Sequence, residues 1–470
     1  MIKEETEIVV LGGGPGGYTA AFRAADLGKN VILVEKYNRL GGVCLNVGCI
    51  PSKAFLHISK VINDSINLKK CGISFQKPNI DINELLNWKE KIISNLSRGL
   101  QFLAKERKVK VLNGYGKFVN NHSLEIVNHG KIISKIQFKH AIIAAGSHSM
   151  SLQNIPIDKR ILNSTSALEL QFIPKSMLVI GGGAIGLEMA MIYHQLGSKI
   201  DIIESMPQLM FNAIDIDIIK QYYNLIKKRY NNIFLNSTVN NIEAKKDGIY
   251  ITIQNNKNIS IIKYDAILIA IGRKPNGNLI AADKAGININ KYGYINVDKQ
   301  MRTNISNIYA IGDIVGSPML AHKSIAQAKI AAEVISGKKY YFEPKCIPIV
   351  AYTDPEIASV GITEREAMQK NIEYGKGIFP WMANGRSLIL GRNEGLTKII
   401  FDKKNKNIIG CSIIGPDAGN LISESALAIE MGSHAEDISL TIHPHPTLSE
   451  TIPMATEIFE KKITDLYLPD

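Results

Sequence analysis

Two short stretches of this chain hold side chains of the right type and spacing for chemistry. The first is GGVCLNVGCIPSK, residues 41–53, which places Cys44 and Cys49 five positions apart. The 470-residue chain has five cysteines in all, the others being Cys71, Cys346 and Cys411. The second is HPHPTLSETI, residues 443–452, in which Pro444 and Pro446 flank His445 and Glu450 follows five residues later.

The cysteines can be read as core residues, as half of a zinc site or as a redox pair. A structural zinc site needs about four ligands; the nearest histidine is His57 and there is no second cysteine pair. Free cysteine is often simply buried, but two in one glycine-rich turn favour the redox reading. A regular helix through both would set them ~7.5 Å apart along its axis, on faces ~140° apart. A disulfide wants Cα atoms within about 4.4–6.8 Å. The segment must therefore bend, and Gly41, Gly42 and Gly48 allow it. Pro51 suits the first turn of a helix starting near Cys49. That start favours the Cys49 thiolate, and Lys53, one turn on, adds positive charge.

In the second stretch the prolines restrict the backbone and so aim the imidazole. A carboxylate that fixes a histidine tautomer is a common general-base arrangement. A thiol-exchange reaction needs such a group to take and return the thiol proton. The rival readings are a metal site, whose spacing fits no zinc motif well, and a proline-rich surface loop.

Such groups need a scaffold, and the chain repeats one. EIVVLGGGPGGYTAAFRAADLGKNVILVEK (7–36) and SMLVIGGGAIGLEMAMIYHQLGSKIDIIES (176–205) follow one plan. Each has an apolar run, G-x-G-x-x-G, a helical stretch, a second apolar run and a glutamate. The glycines are Gly12, Gly14, Gly17 and Gly181, Gly183, Gly186; the glutamates are Glu35 and Glu204, each 23 positions after its first glycine. The first glycine permits the strand-to-helix turn, the second admits a pyrophosphate, and the third lets helix and strand pack closely. The phosphates would sit at the helix N-terminus, and the glutamate would accept ribose hydroxyls. Further short strands end in HAIIAAGSH (140–148), DAILIAIGRKPN (265–276) and NIYAIGDIVG (307–316), the last containing Asp313. Residues from about Asn46 to Gln101 read as two long amphipathic helices.

At about 150 residues per domain, the length suggests roughly three domains. The expected fold is α/β, with two Rossmann-like dinucleotide-binding domains and a C-terminal α+β dimerisation domain. The expected boundaries are 1–150 for the first nucleotide domain, 151–275 for the second, 276–344 for a central segment completing the first site, and 345–470 for the interface domain. The net charge is +12, but the lysines are spread through Asn- and Ile-rich sequence and form no aromatic-interleaved patch, so nucleic acid is not an expected partner. No apolar run approaches the ~18 residues of a membrane span. Scattered cysteines and no targeting segment predict a cytoplasmic protein.

The motifs together resemble those of the FAD-dependent pyridine nucleotide–disulfide oxidoreductases, and within that family the members that oxidise dihydrolipoamide. The carriers are GGGPGGYTAA, GGVCLNVGCIPSK, GGGAIGLEMA, AIGRKPN, AIGDIVGSPMLAHK, AYTDPEIASVG and HPHPTLSE, and the likeness runs from about Glu5 to about Leu468. The resemblance implies FAD on the first repeat, with Glu35 at the ribose, Gly116 by the adenine, Asp313 near the ribityl chain, Ala321 (in MLAH) against the flavin, and Lys53 beside it, paired with Glu188. It implies NAD on the second repeat, with Glu204 at the ribose and Val239 and Gly272 lining the site. Cys44 would exchange with substrate, Cys49 would face the flavin, and His445, held by Glu450, would serve the disulfide of the other subunit in a homodimer. The implied partners are lipoyl domains and the subunit-binding domain of 2-oxo acid dehydrogenase complexes; service to a glycine cleavage system is a further possibility of the same resemblance. The alternative is an NAD(P)H-dependent disulfide reductase of the glutathione-reductase type. The acid at Glu204 disfavours a 2′-phosphate, and ESMPQLMFNA (204–213) offers no arginine to hold one. Two departures stand out. Gln327-Ala328 replaces the Glu-Gly of many relatives, and the +12 charge is unlike the acidic docking patch that usually meets a basic partner.

Overall fold

The structure, a computed structural model, describes residues 2–210, 214–255 and 258–467. The end of the ESMPQLMFNA segment, 211–213, lies outside the described residues.

The sequence repeat becomes a structural repeat. In the first unit the parallel strands run in the spatial order 110–113, 31–35, 2–11, 131–143, with 308–310 pairing parallel on the far side of 131–143. In the second the order is 232–234, 199–203, 176–180, 266–269, 161–163, again all parallel. Strand 31–35 is buried at every position, as expected of a parallel strand covered on both faces. Each unit also carries an antiparallel meander: 115–120, 123–128 and 131–143 in the first, 237–245, 248–255 and 258–264 in the second. The fifth strand of the first unit is supplied from beyond the second unit. After 308–310 the chain enters the helix Ala321–Ile335, whose buried Ala328, Ala331 and Ala332 share a core with Ala20, Ala21 and Ala24 of α1 (Pro15–Asp26).

Three helices follow α1 and serve the cysteine region. The short α2 (Gly42–Val47) is broken from α3 (Cys49–Asn67) at Gly48, and α4 (Ile82–Glu106) follows. In the second unit, α5 (Ala184–Gln195) is buried over most of its length. The C-terminal part is a five-stranded antiparallel sheet in the order 349–351, 356–361, 408–415, 396–402, 374–380. The helices Ala418–Met431 and Thr451–Glu460 pack on it around Trp381, Phe379 and Phe401. No helix among the described residues is long and apolar enough to cross a membrane.

Candidate active site

Both glycine loops have the shape that a dinucleotide requires. Gly12 and Gly181 have φ of 108° and 110°, in the left-handed region open chiefly to glycine. A Cβ on Gly17 would lie 1.7 Å from the Gly12 carbonyl oxygen, and one on Gly186 would lie 2.0 Å from that of Gly181. The middle glycines differ: a Cβ on Gly183 would meet nothing within 4 Å, and one on Gly14 only Gly42 Cα at 3.8 Å. That room lies at the N-termini of α1 and α5, neither of which has a side-chain cap. Uncapped N–H groups facing open space are what a pyrophosphate binds, so the residues fit a dinucleotide in each unit.

The two glutamates are held alike. Glu35 accepts the N–H of Gly13 at 2.7 Å through Oε2 and that of Tyr37 at 3.0 Å through Oε1. Glu204 accepts the N–H of Gly182 at 2.7 Å and that of Met206 at 2.9 Å. Each carboxylate ties its glycine loop to the second strand and keeps lone pairs for ribose hydroxyls. Burial is the strongest influence on Glu35 and raises its pKa despite these donors.

The cysteine segment is docked onto the first loop. The Gly41 N–H donates to Gly13 O at 2.8 Å, and a Cβ on Gly42 would come within 2.6 Å of Gly14 Cα. The glycines at 41 and 42 therefore do more than bend the chain: they let the thiols approach the nucleotide loop. At Gly48 (φ −140°, ψ −108°) the helical path breaks, and α3 restarts at Cys49. Both cysteines are free thiols, Cys44 half-buried and Cys49 exposed. Cys44 is the hydrogen-bonding neighbour that acts most strongly on Cys49. That hydrogen bond is the main reason that the Cys49 pKa falls to about 7, against desolvation and with help from Lys53. The same bond, with burial, drives the Cys44 pKa far up. The pair is thus unequal, with the Cys49 thiol pushed down and the Cys44 thiol pushed up.

Lys53 lies one turn beyond Cys49, on the same face of α3. Its Nζ donates to both carboxylate oxygens of Glu188, at 3.0 and 2.8 Å. Glu188, on α5, is 4 % exposed, and Oε1 also accepts the N–H of Tyr352 at 3.1 Å. The Lys53 ammonium sits 4.7 Å from the centroid of the Tyr352 ring. Asp313 accepts the hydroxyl of Ser147 at 2.5 Å, and Arg273 donates to the same hydroxyl at 2.7 Å and to Ser147 O at 2.8 Å. Ala321 opens the helix Ala321–Ile335. Gln327 accepts the Gly312 N–H at 2.8 Å from a buried position, so the departure at 327 anchors the strand end that leads to Asp313. Gly116 packs against Leu11, where a Cβ would approach to 2.5 Å. Val239 sits at a bulge in strand 237–245, and Gly272 (φ 127°) accepts the Met150 N–H at 3.0 Å.

The histidine stretch lies in the C-terminal part. Glu450 is the N-cap of the helix Thr451–Glu460. His445 Nδ1 lies 2.8 Å from Glu450 Oε1, and Glu450 Oε2 accepts the Thr447 N–H at 2.7 Å. Nδ1 is therefore the protonated nitrogen, and Nε2 carries a free lone pair. The His445 side chain is 78 % exposed. His443 differs: Nδ1 lies 2.8 Å from Thr441 O and Nε2 lies 2.6 Å from Glu424 Oε1. The two histidines pair with different carboxylates, and only His445 has a nitrogen to offer. Among the described residues, no hydrogen bond or ion pair joins His445 or Glu450 to Cys44, Cys49 or Lys53 within the chain. Sequence reasoning missed Ser147, Arg273, Glu424 and Tyr352. The last stands in AYTDPEIASVG and Arg273 in AIGRKPN, segments whose side chains carried no individual assignment.

Two dinucleotide loops, a dithiol on the first and a separate histidine–glutamate pair define a class of disulfide-linked redox proteins. The pyridine nucleotide-disulphide oxidoreductase family model matches residues 6–328, and the dimerisation domain of that family matches 347–456. The chain belongs to this family. It is 52 % identical over 470 residues to the dihydrolipoyl dehydrogenase of Vibrio cholerae, covering 99 % of this chain and 98 % of that one. It is 53 % identical over 469 residues to the dihydrolipoyl dehydrogenase of Buchnera aphidicola subsp. Schizaphis graminum, covering 98 % and 97 %. Among solved structures it superposes on a HOCl-induced flavoprotein disulfide reductase of Escherichia coli, determined as a Cu(II) complex, with a TM-score of 0.86, 25 % identity and coverage of 97 % and 99 %.

Proposed function

We infer that this chain is a dihydrolipoyl dehydrogenase, which oxidises dihydrolipoamide to lipoamide and reduces NAD⁺ to NADH. The observation that carries the reading is the asymmetric Cys44–Cys49 pair docked on the first dinucleotide loop, joined to full-length identity of about half with enzymes of that name.

FAD would be held by Gly12, Gly14, Gly17, Glu35, Gly116, Asp313 and Ala321, with Lys53 beside it. NAD would be held by Gly181, Gly183, Gly186, Glu204, Val239 and Gly272. In the oxidised protein Cys44 and Cys49 form a disulfide. His445 Nε2, from the partner subunit, takes a proton from one thiol of dihydrolipoamide. The substrate thiolate attacks Cys44, breaking the Cys44–Cys49 bond and releasing Cys49 as a thiolate that Lys53 stabilises. The second substrate thiol then attacks the substrate sulfur bonded to Cys44, which leaves with a proton. Lipoamide departs, leaving two electrons in the Cys44–Cys49 pair, one proton on Cys44 and one on His445. When bound, FAD would supply the two-electron redox chemistry between this dithiol and NAD⁺, the dithiol returning to the disulfide with release of one proton.

A homodimer is supported by the dimerisation-domain match and by exposed apolar side chains around the histidine stretch, among them Leu427, Met431, Leu440 and Ile442. Large apolar side chains left this exposed are the kind an interface covers. Lipoyl domains and the subunit-binding domain of 2-oxo acid dehydrogenase complexes are the partners this activity calls for. Five cysteines, odd in number and scattered along the chain, do not make a secreted disulfide framework and suit a reducing compartment, the cytoplasm. The deciding assay compares NADH formation from dihydrolipoamide and NAD⁺ with NADPH oxidation by oxidised glutathione. Turnover in the first alone is expected; turnover in the second alone overturns the reading in favour of a glutathione-type reductase.

A further inference from the structure

Three segments far apart in sequence meet at the Lys53 ammonium. Lys53 comes from α3, Glu188 from α5, and Tyr352 from the loop after strand 349–351 of the C-terminal sheet. Tyr352 contributes twice: its main-chain N–H donates to Glu188 Oε1 at 3.1 Å, and its ring faces Lys53 Nζ at 4.7 Å. A cation over an aromatic face is attracted by the ring's negative face, more strongly as water is excluded.

The loop that delivers Tyr352 is firmly anchored. The Thr353 hydroxyl donates to Pro355 O at 2.7 Å. Asp354 is buried, pairs with Arg392, and accepts Asn63 Nδ2 of α3 at 2.5 Å. Beside the ring lies Gly419, where a Cβ would stand 3.5 Å from Tyr352 Cε1. The loop is thus stapled to α3 fourteen residues beyond Cys49, and the ring lies next to the start of the helix Ala418–Met431.

The position of Lys53 matters to Cys49. The ammonium favours the thiolate, whereas the Glu188 carboxylate opposes it. The charged and titratable groups facing Cys49 are Cys44 on α2, Lys53 on α3, Glu188 on α5 and Tyr352; Glu356 also acts on Tyr352. Glu188 alone would draw Lys53 into a neutral pair, and water alone would let it swing away. The ring offers a third contact that holds it between these limits.

We propose that Tyr352 is a positioning residue for Lys53: its ring face and main-chain N–H, delivered from the C-terminal domain, hold the ammonium where it supports the Cys49 thiolate. The proposal rests on the disulfide-exchange reading above, but its test does not require lipoamide turnover. In flavin-loaded Cys44→Ser protein, Cys49 alkylation by iodoacetamide is followed by mass spectrometry across pH, with Tyr352, Tyr352→Phe, Tyr352→Leu or Tyr352→Met. Flavin content and melting temperature identify any variant that has lost its fold. The Phe variant is expected within twofold of Tyr352 at pH 7. The Leu and Met variants are expected to react three- to tenfold more slowly, with the alkylation midpoint moved up by half to one pH unit. An unchanged or faster rate in a folded Leu or Met variant overturns the proposal, as does a Phe variant as slow as Leu. If lipoamide activity is absent from the wild type while this pattern holds, the functional reading fails and the positioning role stands.

Discussion

His445 Nδ1 and Glu450 Oε1 lie 2.8 Å apart, and that one contact decides which imidazole of the HPHP stretch can move a proton. Glu450 takes Nδ1–H and so leaves Nε2 basic, while Glu424 and Thr441 O together consume both nitrogens of His443. Glu450→Gln keeps the size of the side chain but replaces the carboxylate that stabilises the imidazolium formed in the reaction. Its kcat for dihydrolipoamide is expected to fall roughly 10²-fold, with flavin content unchanged. Steady-state kinetics beside an absorbance spectrum of the purified protein checks both.

The thiol pair should titrate unequally. With Cys49 near pH 7 and Cys44 displaced upward, the reduced protein is expected to gain one thiolate per chain with a midpoint near 7. The second should stay protonated through the range where ordinary thiols ionise. Near-ultraviolet thiolate absorbance during a pH titration, with Cys49→Ser as reference, reads this directly. Equal midpoints would contradict the hydrogen-bonded arrangement. Cys44→Ser should abolish lipoamide turnover and leave the protein yellow.

The matching roles of Glu35 and Glu204 make a paired prediction. Each accepts a loop N–H that a glutamine NH₂ group, wrongly turned, would oppose. Glu35→Gln is expected to lower the flavin content of the isolated protein without changing the KM for NAD⁺ in the molecules that retain flavin. Glu204→Gln is expected to leave flavin full and raise the KM for NAD⁺ at least tenfold. The reverse pattern would exchange the two nucleotide assignments.

A buried charge network ties the second nucleotide unit to the C-terminal sheet. Lys398, 1 % exposed, sits among Asp215, Asp217 and Glu364, 3.0 Å from Asp215 Oδ2 and 2.8 Å from Asp217 Oδ2. These three carboxylates could by themselves surround a cation, and the ammonium is that cation. Burial alone would raise the Glu364 pKa, but hydrogen bonds from Lys398, Tyr374 and Lys376 outweigh it and bring it to about 2. A depressed carboxylate stabilises fully above its ordinary range, near 4.5, and loses that contribution as pH falls through about 2. Lys398→Met strands three acids together. The expected cost is about 3–5 kcal/mol, read from denaturant unfolding at neutral pH, with the deficit narrowing as pH falls and the stranded acids, raised by burial and mutual repulsion, take up protons.

Much of the site was legible because local rules wrote it. The glycine spacing with a terminal glutamate requires one backbone path, and both copies take it. The five-residue cysteine spacing forbids one regular helix, and the break falls at Gly48. Pro446 and Glu450 marked His445. What sequence left open depended on segments that meet only after folding. Residues 41 and 42 read as a bend, yet their small size also matters because the loop lies on Gly13 and Gly14. Gln327 read as a departure from relatives, and the fold shows it accepting the Gly312 N–H.

The sequence by itself determined the duplicated nucleotide-binding units, the paired thiols and the histidine–carboxylate pair, because each is encoded within a few turns of contiguous chain. Tertiary structure alone decided that strand 308–310 completes the first sheet after the chain has built the second. It alone added Tyr352, 164 residues beyond Glu188 along the chain, to the Lys53–Glu188 pair that the resemblance implied. Periodicity and propensity report what a residue does to its own backbone. Coulomb attraction, cation–π contact and hydrogen bonding to a buried carboxylate act through space, so their partners are fixed only when the sheets and helices have packed.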